Sequence, residues 1–326
     1  MRLPGGPIFV RLDTSATRMV IGAAATPSVA APILADMTTT SDNPTRETLR
    51  RSSRLGEFLR ALFATRTTAL GTTIFLIFIL VALLANFVAP YGVNEQIYTD
   101  ARQAPSTTHW FGTDHLGRDV FSRVLLGAND ILLLAGVGTA LAVTSGVTFG
   151  LLSGYWGGWF DEILMRFFDS MLAMPAMLLA LLLLGTLGPS RNSVFLVMVI
   201  VYTPIVARVV RSTVLSVKNK GFVEAARLQG ESTARILFRE ILPSVMPTLT
   251  VEAALRFSYA IFLVASLGFL GVGVQPPSPN WGLMVNEARP HVNQLPWAMY
   301  FPAGAIAIVV IGVNLMADGI KRALRV

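Results

Sequence analysis

The chain has 326 residues, of which 53% are hydrophobic and 14% charged, with a mean hydropathy of +0.60 and a net charge of +7. A soluble domain carries roughly 25% charged residues, so the composition points into a bilayer. There is no cysteine, which excludes disulfides and thiolate chemistry, and no Gly-Lys dipeptide, which excludes a Walker A phosphate loop.

Residues 1–66 read as a cytoplasmic, partly disordered tail, rich in Ala, Thr, Ser, Pro and Arg. The stretch Val20 to Leu34 is only mildly apolar and is interrupted by Pro27 and Pro32, so it is neither a span nor a signal peptide. Arg46 to Arg66 suits a basic amphipathic helix with Leu55, Phe58, Leu59 and Leu62 on one side. Met37 opens a polar stretch and is an alternative translation start.

Uncharged runs follow at 67–94, 131–160, 170–190, 192–207, 257–286 and 290–317. A membrane helix needs about 20 mostly apolar residues. The runs predict six spans, near 68–89, 131–153, 167–187, 193–213, 248–272 and 299–317. The fourth reaches 213 if Arg208 and Arg211 extend to the interface. The fifth must include Glu252 and Arg256, a favourable i, i+4 pair expected in its first two turns as a self-neutralised structural contact. Gly136, Gly138, Gly146 and Gly150 in the second span suit close helix packing. The domain organisation expected is a tail at 1–66, a first span with its external loop at 67–130, a membrane core at 131–318 and a cytoplasmic tail at 319–326.

Lys and Arg set the orientation. Residues 1–66 carry nine Arg, and the loop 205–246 carries seven Lys/Arg. The loop 90–130 carries three Arg against five acids, and 273–298 one Arg and one Glu. Six spans put both termini and the 214–246 loop on the basic, cytoplasmic side. The positive charge therefore follows the membrane, and no nucleic-acid partner is expected. His109, His115 and His291 all lie in predicted external loops without metal-ligand spacing, so neither metal nor other cofactor is expected.

The loop between the fourth and fifth spans is the most specific segment. Glu224-Ala225-Ala226-Arg227-Leu228 favours helix, Gly230 ends it, and Ser232 caps a second helix running to a break at Pro243. The same residues also look like the turn of a DNA-binding helix-turn-helix, a reading that the flanking spans oppose. Glu224, Ala225, Ala226, Gly230, Leu242 and Pro243 stand at the spacing of the "EAA" loop, and so resemble the membrane subunits of ATP-binding-cassette importers. That resemblance implies a coupling helix over 218–232, with Arg227 among its coupling residues, seated in a groove on an ATPase subunit.

Further segments narrow the resemblance to the C-type permease subunits of dipeptide, oligopeptide and nickel importers. Phe111 through Val120 resembles that family's "PFGTDxLGRD" signature from its second position onward. Here Phe111, Gly112, Asp114, Gly117, Arg118 and Asp119 are expected to order an external loop, with Asp114, Arg118 and Asp119 forming mutual ion pairs. Gly154–Glu162 resembles its "GYxGGxxDE" turn, Gly271–Gly282 its Pro-rich external loop, with Trp281 expected at the membrane interface, and Asn314–Ile320 the exit of its last span. The resemblance covers roughly 67–326. Asn129, Ile131, Glu240, Ser244 and Val264 depart from the family pattern, which bears on cargo more than on fold.

The family implies an all-α integral membrane protein with the type I ABC importer permease fold and no catalytic residues. It implies a bacterial plasma membrane location, a homologous second permease subunit, two ATPase subunits, an external substrate-binding protein, and a peptide cargo, with nickel chelate or haem as alternatives. A secondary transporter would show paired mid-membrane acids or inverted repeats, and a membrane enzyme would show converging catalytic groups. The sequence displays neither.

Overall fold

The computed structural model describes residues 62–324 apart from Ala64; the amphipathic positions Leu55, Phe58 and Leu59 and the possible start at Met37 lie outside them. The described part is helical, with one isolated bridge between Thr113 and Asp119 as its only β pairing. The helices are α1 (Arg66–Val88), α2 (Val120–Trp156), α3 (Gly158–Leu172), α4 (Ala176–Leu187), α5 (Arg191–Val217), α6 (Gly221–Leu228), α7 (Thr233–Phe269), α8 (Trp281–Ala288) and α9 (Pro296–Ala323). Five of these, α1, α2, α5, α7 and α9, are long and apolar enough to cross a membrane, and α3 with α4 makes a sixth if the bent pair is one span.

That bent pair departs from the expected straight helix at 167–187. The chain stops at Ala173, restarts at Ala176, and turns by 91°. Pro175 has no N–H to offer the preceding turn, and a residue before proline is pushed out of the helical region. The twelve residues of α4 rise about 18 Å, less than the roughly 30 Å of hydrocarbon. Within α3 and α4 only Asp161, Phe168, Ala180 and Leu184 are buried, so most of the pair faces away from its own bundle.

The second span is longer than expected. Asp119 caps it by accepting from Ser122 N at 2.7 Å, so α2 starts at Val120 rather than near 131 and runs 37 residues. At 1.5 Å per residue this is about 55 Å, which carries α2 beyond the bilayer. Its partner is α5, and glycine sets their distance. A Cβ on Gly146 would meet Val206 Cβ at 2.5 Å, and one on Gly150 would meet the Ala207 carbonyl at 2.6 Å. Gly138 lies against Met198, whereas Gly136 approaches only Phe257, at 3.9 Å. The first and last spans use the same device, Gly71 against Leu315 and Gly312 against Ile74.

The fifth span also differs. No break occurs at Pro243: α7 passes through it from Thr233 to Phe269. The turn Ile236–Ile241 is a π-helix, in which Leu242 N–H reaches back to the Leu237 carbonyl. This wider turn accommodates the missing N–H and the ring of Pro243. The helix therefore begins earlier than position 248, and Arg256 lies at the midpoint of Leu242–Phe269 rather than in the first two turns of the span. A large core fills the space between α1, α2, α5, α7 and α9, and a second core lies under α6.

Candidate functional site

The 218–243 loop is built on its own hydrophobic base. Val223 and Ala226 project from α6 into the core formed by Val214, Val217, Ile236, Leu237, Ile241 and Val245. At the helix end Gly230 N donates to Arg227 O at 3.0 Å and Glu231 N to Ala226 O at 3.1 Å. Those two bonds, with Gly230 at φ +75, are the glycine-terminated stop expected. Ser232 then accepts from Arg235 N and starts α7. Leu242 is half-buried against the same core and Pro243 is exposed.

The motif therefore has two faces. Ala226 points into its own bundle, so it cannot contact another protein directly. Phe222, Glu224, Ala225, Arg227, Leu228 and Gly230 are exposed, Leu228 at 85%. A Cβ placed on Gly230 would meet nothing within 4 Å. An exposed helix carrying two large apolar side chains on a well-packed base is a docking geometry rather than a core geometry.

Polar contacts tie this loop to the neighbouring turn. The Arg227 guanidinium lies 5.1 Å from the Tyr155 ring centre. Lys218 Nζ donates to the Gly154 carbonyl at 3.0 Å. Arg211 forms a forked pair with Asp161, Nε at 2.5 Å and Nη2 at 2.6 Å. The Gly154–Glu162 turn, read separately in the sequence, is thus a bracket for the loop.

At the opposite end of the bundle the loop between α1 and α2 is an ion-pair cluster. Asp114 accepts from Leu116 N at 2.8 Å, Arg118 N at 3.0 Å, Arg118 Nε at 2.5 Å and Arg123 Nη1 at 3.0 Å. Burial raises the Asp114 carboxyl, but the charge and hydrogen bonds of Arg118, and then Arg123, outweigh it and hold the group below its ordinary range. Gly112 and Gly117 both have positive φ, and the Phe111 ring stacks on Phe301 with centres 3.8 Å apart. His115 stacks on His291 at 4.8 Å, and burial pushes its imidazole below its ordinary value.

The expected mutual pairing of Asp114, Arg118 and Asp119 holds only for the first two. Asp119 is taken by the cap of α2 and by His109 Nδ1, at 2.9 Å. The second partner of Arg118 is Glu287 of α8, at 2.6 Å, which also meets Arg123 at 3.3 Å. Sequence reading missed Glu287, Arg123 and His109; the available signal was that Glu287 is the only acid in the 273–298 loop. It also missed Asp130, which pairs with Arg191 and accepts from Ser278 at 2.9 Å and Asn280 at 3.3 Å. Trp281 is not at an interface: it is buried against Phe78 and donates to the Val124 carbonyl at 2.9 Å. No group of three His, Cys, Asp or Glu among the described residues is arranged to hold a metal ion.

Helices with a packed α2–α5 centre and an exposed loop helix between α5 and α7 agree with what the sequence resembles. The binding-protein-dependent transport system inner membrane component family matches residues 146–326, more than half of the chain. The chain belongs to that family. Residues 53–105 match the N-terminal transmembrane domain of oligopeptide transport permease C. The chain is 39% identical to the dipeptide transport system permease protein of Alkalihalophilus pseudofirmus over 268 residues, covering 82% of this chain and 88% of that one. It is 38% identical to the glutathione transport system permease protein of Pectobacterium atrosepticum over 270 residues, and 41% identical to that of Escherichia coli O157:H7 over 271. Both cover 82% of this chain and 89% of the relative. This is a multi-pass membrane permease with the type I fold.

Proposed function

We propose that this permease is one of two membrane subunits of an ATP-driven importer for short peptides in a bacterial plasma membrane. The observation that carries the reading is α6. Its Val223 and Ala226 are locked into the bundle while Phe222, Glu224, Ala225 and Leu228 are presented outward. Motion of a partner at that surface is transmitted to α5 and α7, because the core beneath α6 is made of their side chains. The partner is an ATPase subunit, which supplies the hydrolysis; this chain supplies no covalent chemistry.

In this reading the basic loop and both termini face the cytoplasm. Residues 1–66 and 319–326 are tails, 67–130 forms the first span and external loop, and 131–318 forms the core. The Phe111–Asp119 loop, with Gly112, Asp114, Gly117 and Arg118, keeps the external face in shape for a substrate-binding protein. A second, homologous permease subunit covers the outward surface of α3 and α4. A peptide cargo follows from the similarity to dipeptide and glutathione permeases. The test is uptake into proteoliposomes holding this chain with its homologous permease and ATPase subunits. Transport should require ATP and the external binding protein. Uptake driven by an ion gradient without ATPase subunits would overturn the reading.

A further inference from the structure

Arg256 is a cation at the middle of a membrane helix, and its surroundings account for only part of it. It lies at the midpoint of Leu242–Phe269 and faces Tyr202, which is close to the midpoint of α5. Charged groups at this depth are costly and face the bundle interior or a water-filled cavity. Glu252 approaches Arg256 Nε at 2.8 Å, yet the angle is poor and neither atom has a hydrogen bond. The guanidinium carbon lies 4.8 Å from the Tyr259 ring centre and 5.9 Å from that of Tyr202. Two tyrosines thus flank the guanidinium, and it makes no hydrogen bond with any described residue.

The face that continues from Arg256 is open. Tyr259 is 49% exposed and Phe262 60%, and Ser266 and Phe269 follow on the same side toward the outer end of α7. Phe262, Ser266 and Phe269 also line an open, largely apolar groove whose other walls come from α8 and α9. A stripe turned to lipid gains nothing from an arginine and a tyrosine hydroxyl at mid-depth. A stripe lining a path for a charged solute does.

We propose that Arg256, backed by Tyr202 and Tyr259, is a mid-membrane station for the carboxylate of a short peptide in transit. The proposal rests on the import reading above and adds the group that meets the cargo. A guanidinium fork matches a carboxylate with two parallel hydrogen bonds. Glu252 keeps the charge neutralised when no cargo is present, and its poorly aligned contact is readily exchanged. A station on a transport path must bind well enough to admit its solute and weakly enough to release it.

The chain has no cysteine, so Phe262→Cys, on the same open stripe but outside the station, introduces a single thiol in this subunit. The complete transporter carrying it, in nanodiscs, is treated with anionic and cationic methanethiosulfonates in nucleotide-free and ATP-trapped states. Modification should occur in at least one state. The anionic reagent should be favoured, and Arg256→Gln should lower that preference by about tenfold, the scale of charge focusing in a lined cleft. Dialanine added directly, without the external binding protein, should slow modification; its C-terminal amide should not, and Arg256→Gln should abolish the protection. If Arg256→Gln alone fails to insert, Glu252→Gln with Arg256→Gln removes both charges and leaves neither buried unpaired.

A thiol reached only by a membrane-permeable maleimide places this face in lipid and overturns the proposal. Equal protection by acid and amide, or an unchanged charge preference in Arg256→Gln, does the same. If ATP-dependent uptake persists in those cases, the import reading survives and only the station fails. Absence of ATP-dependent uptake in the wild-type complex fails the import reading instead.

Discussion

Arg118 and Glu287 meet at 2.6 Å although 169 positions separate them in the chain. One stands in the loop before α2 and the other in α8, and Arg123 shares the same carboxylate. The pair fastens the loop between α1 and α2 to the segment that precedes the last span. The Arg118 side chain is almost fully buried, so removal of its partner leaves two guanidinium groups facing each other around Asp114 alone.

Glu287→Gln should therefore lower stability. Breaking a buried ion pair from one side costs roughly 3–5 kcal/mol, and the partial exposure of Glu287 places the expected loss at the lower end. Thermal unfolding of the purified protein in detergent measures it. Glu95→Gln, at an exposed glutamate of the preceding loop, serves as the comparison and should leave the transition in place.

Acid should loosen the same cluster in two windows. The His115 imidazole is held below its ordinary 6.5, so as pH falls the unfolded chain takes up the proton first. Its contribution is present above 6.5 and is lost as pH drops through the lower folded value. The Asp114 carboxyl is likewise held below 3.8, so its contribution is present above that value and disappears in stronger acid. Unfolding followed from pH 8 to pH 3 should show both losses. His115→Gln should remove the first and leave the second.

Gly230 separates strain from contact. Its φ is +75, and no atom lies within 4 Å of where a Cβ would sit. A left-handed residue other than glycine costs roughly 1–2 kcal/mol, least for asparagine. Gly230→Asn should fold and transport near the wild-type level. Gly230→Asp should fold equally well but lose ATPase subunits on copurification, because added charge meets the partner and not this chain. Undiminished uptake by Gly230→Asp with its ATPase subunits attached removes α6 from the coupling role.

Ala226→Arg should fail for a different reason. The side chain enters the core beneath α6, where overpacking costs roughly 1–3 kcal/mol or more. Yield and thermal stability of the isolated subunit should drop before any partner is added. Leu228→Asp, on the exposed face, should leave both unchanged and weaken copurification only.

Topology is read with single cysteines at exposed positions. Thr107 and Asn293 should react with an impermeant thiol reagent in intact cells, and Ser232 should react only after permeabilisation. Labelling of Ser232 alone reverses the orientation.

The spans, the polar loop between α5 and α7 and its stop at Gly230 were legible from the chain, because about twenty apolar residues or one left-handed glycine act locally. The glycines of α2 were legible as packing residues for the same reason, with Gly136 the exception. Tertiary structure decided the rest. Pro175 and Pro243 are the same local signal with opposite outcomes: the third span broke at Pro175, whereas α7 passed Pro243 because a π-turn there is supported by the core under α6. Which face Ala226 shows, where Arg256 lies along α7, and that Asp119 serves His109 while Arg118 serves Glu287 depend on distances between segments far apart in sequence. Charge and spacing identify the residues able to pair; only packing brings a particular two within 3 Å.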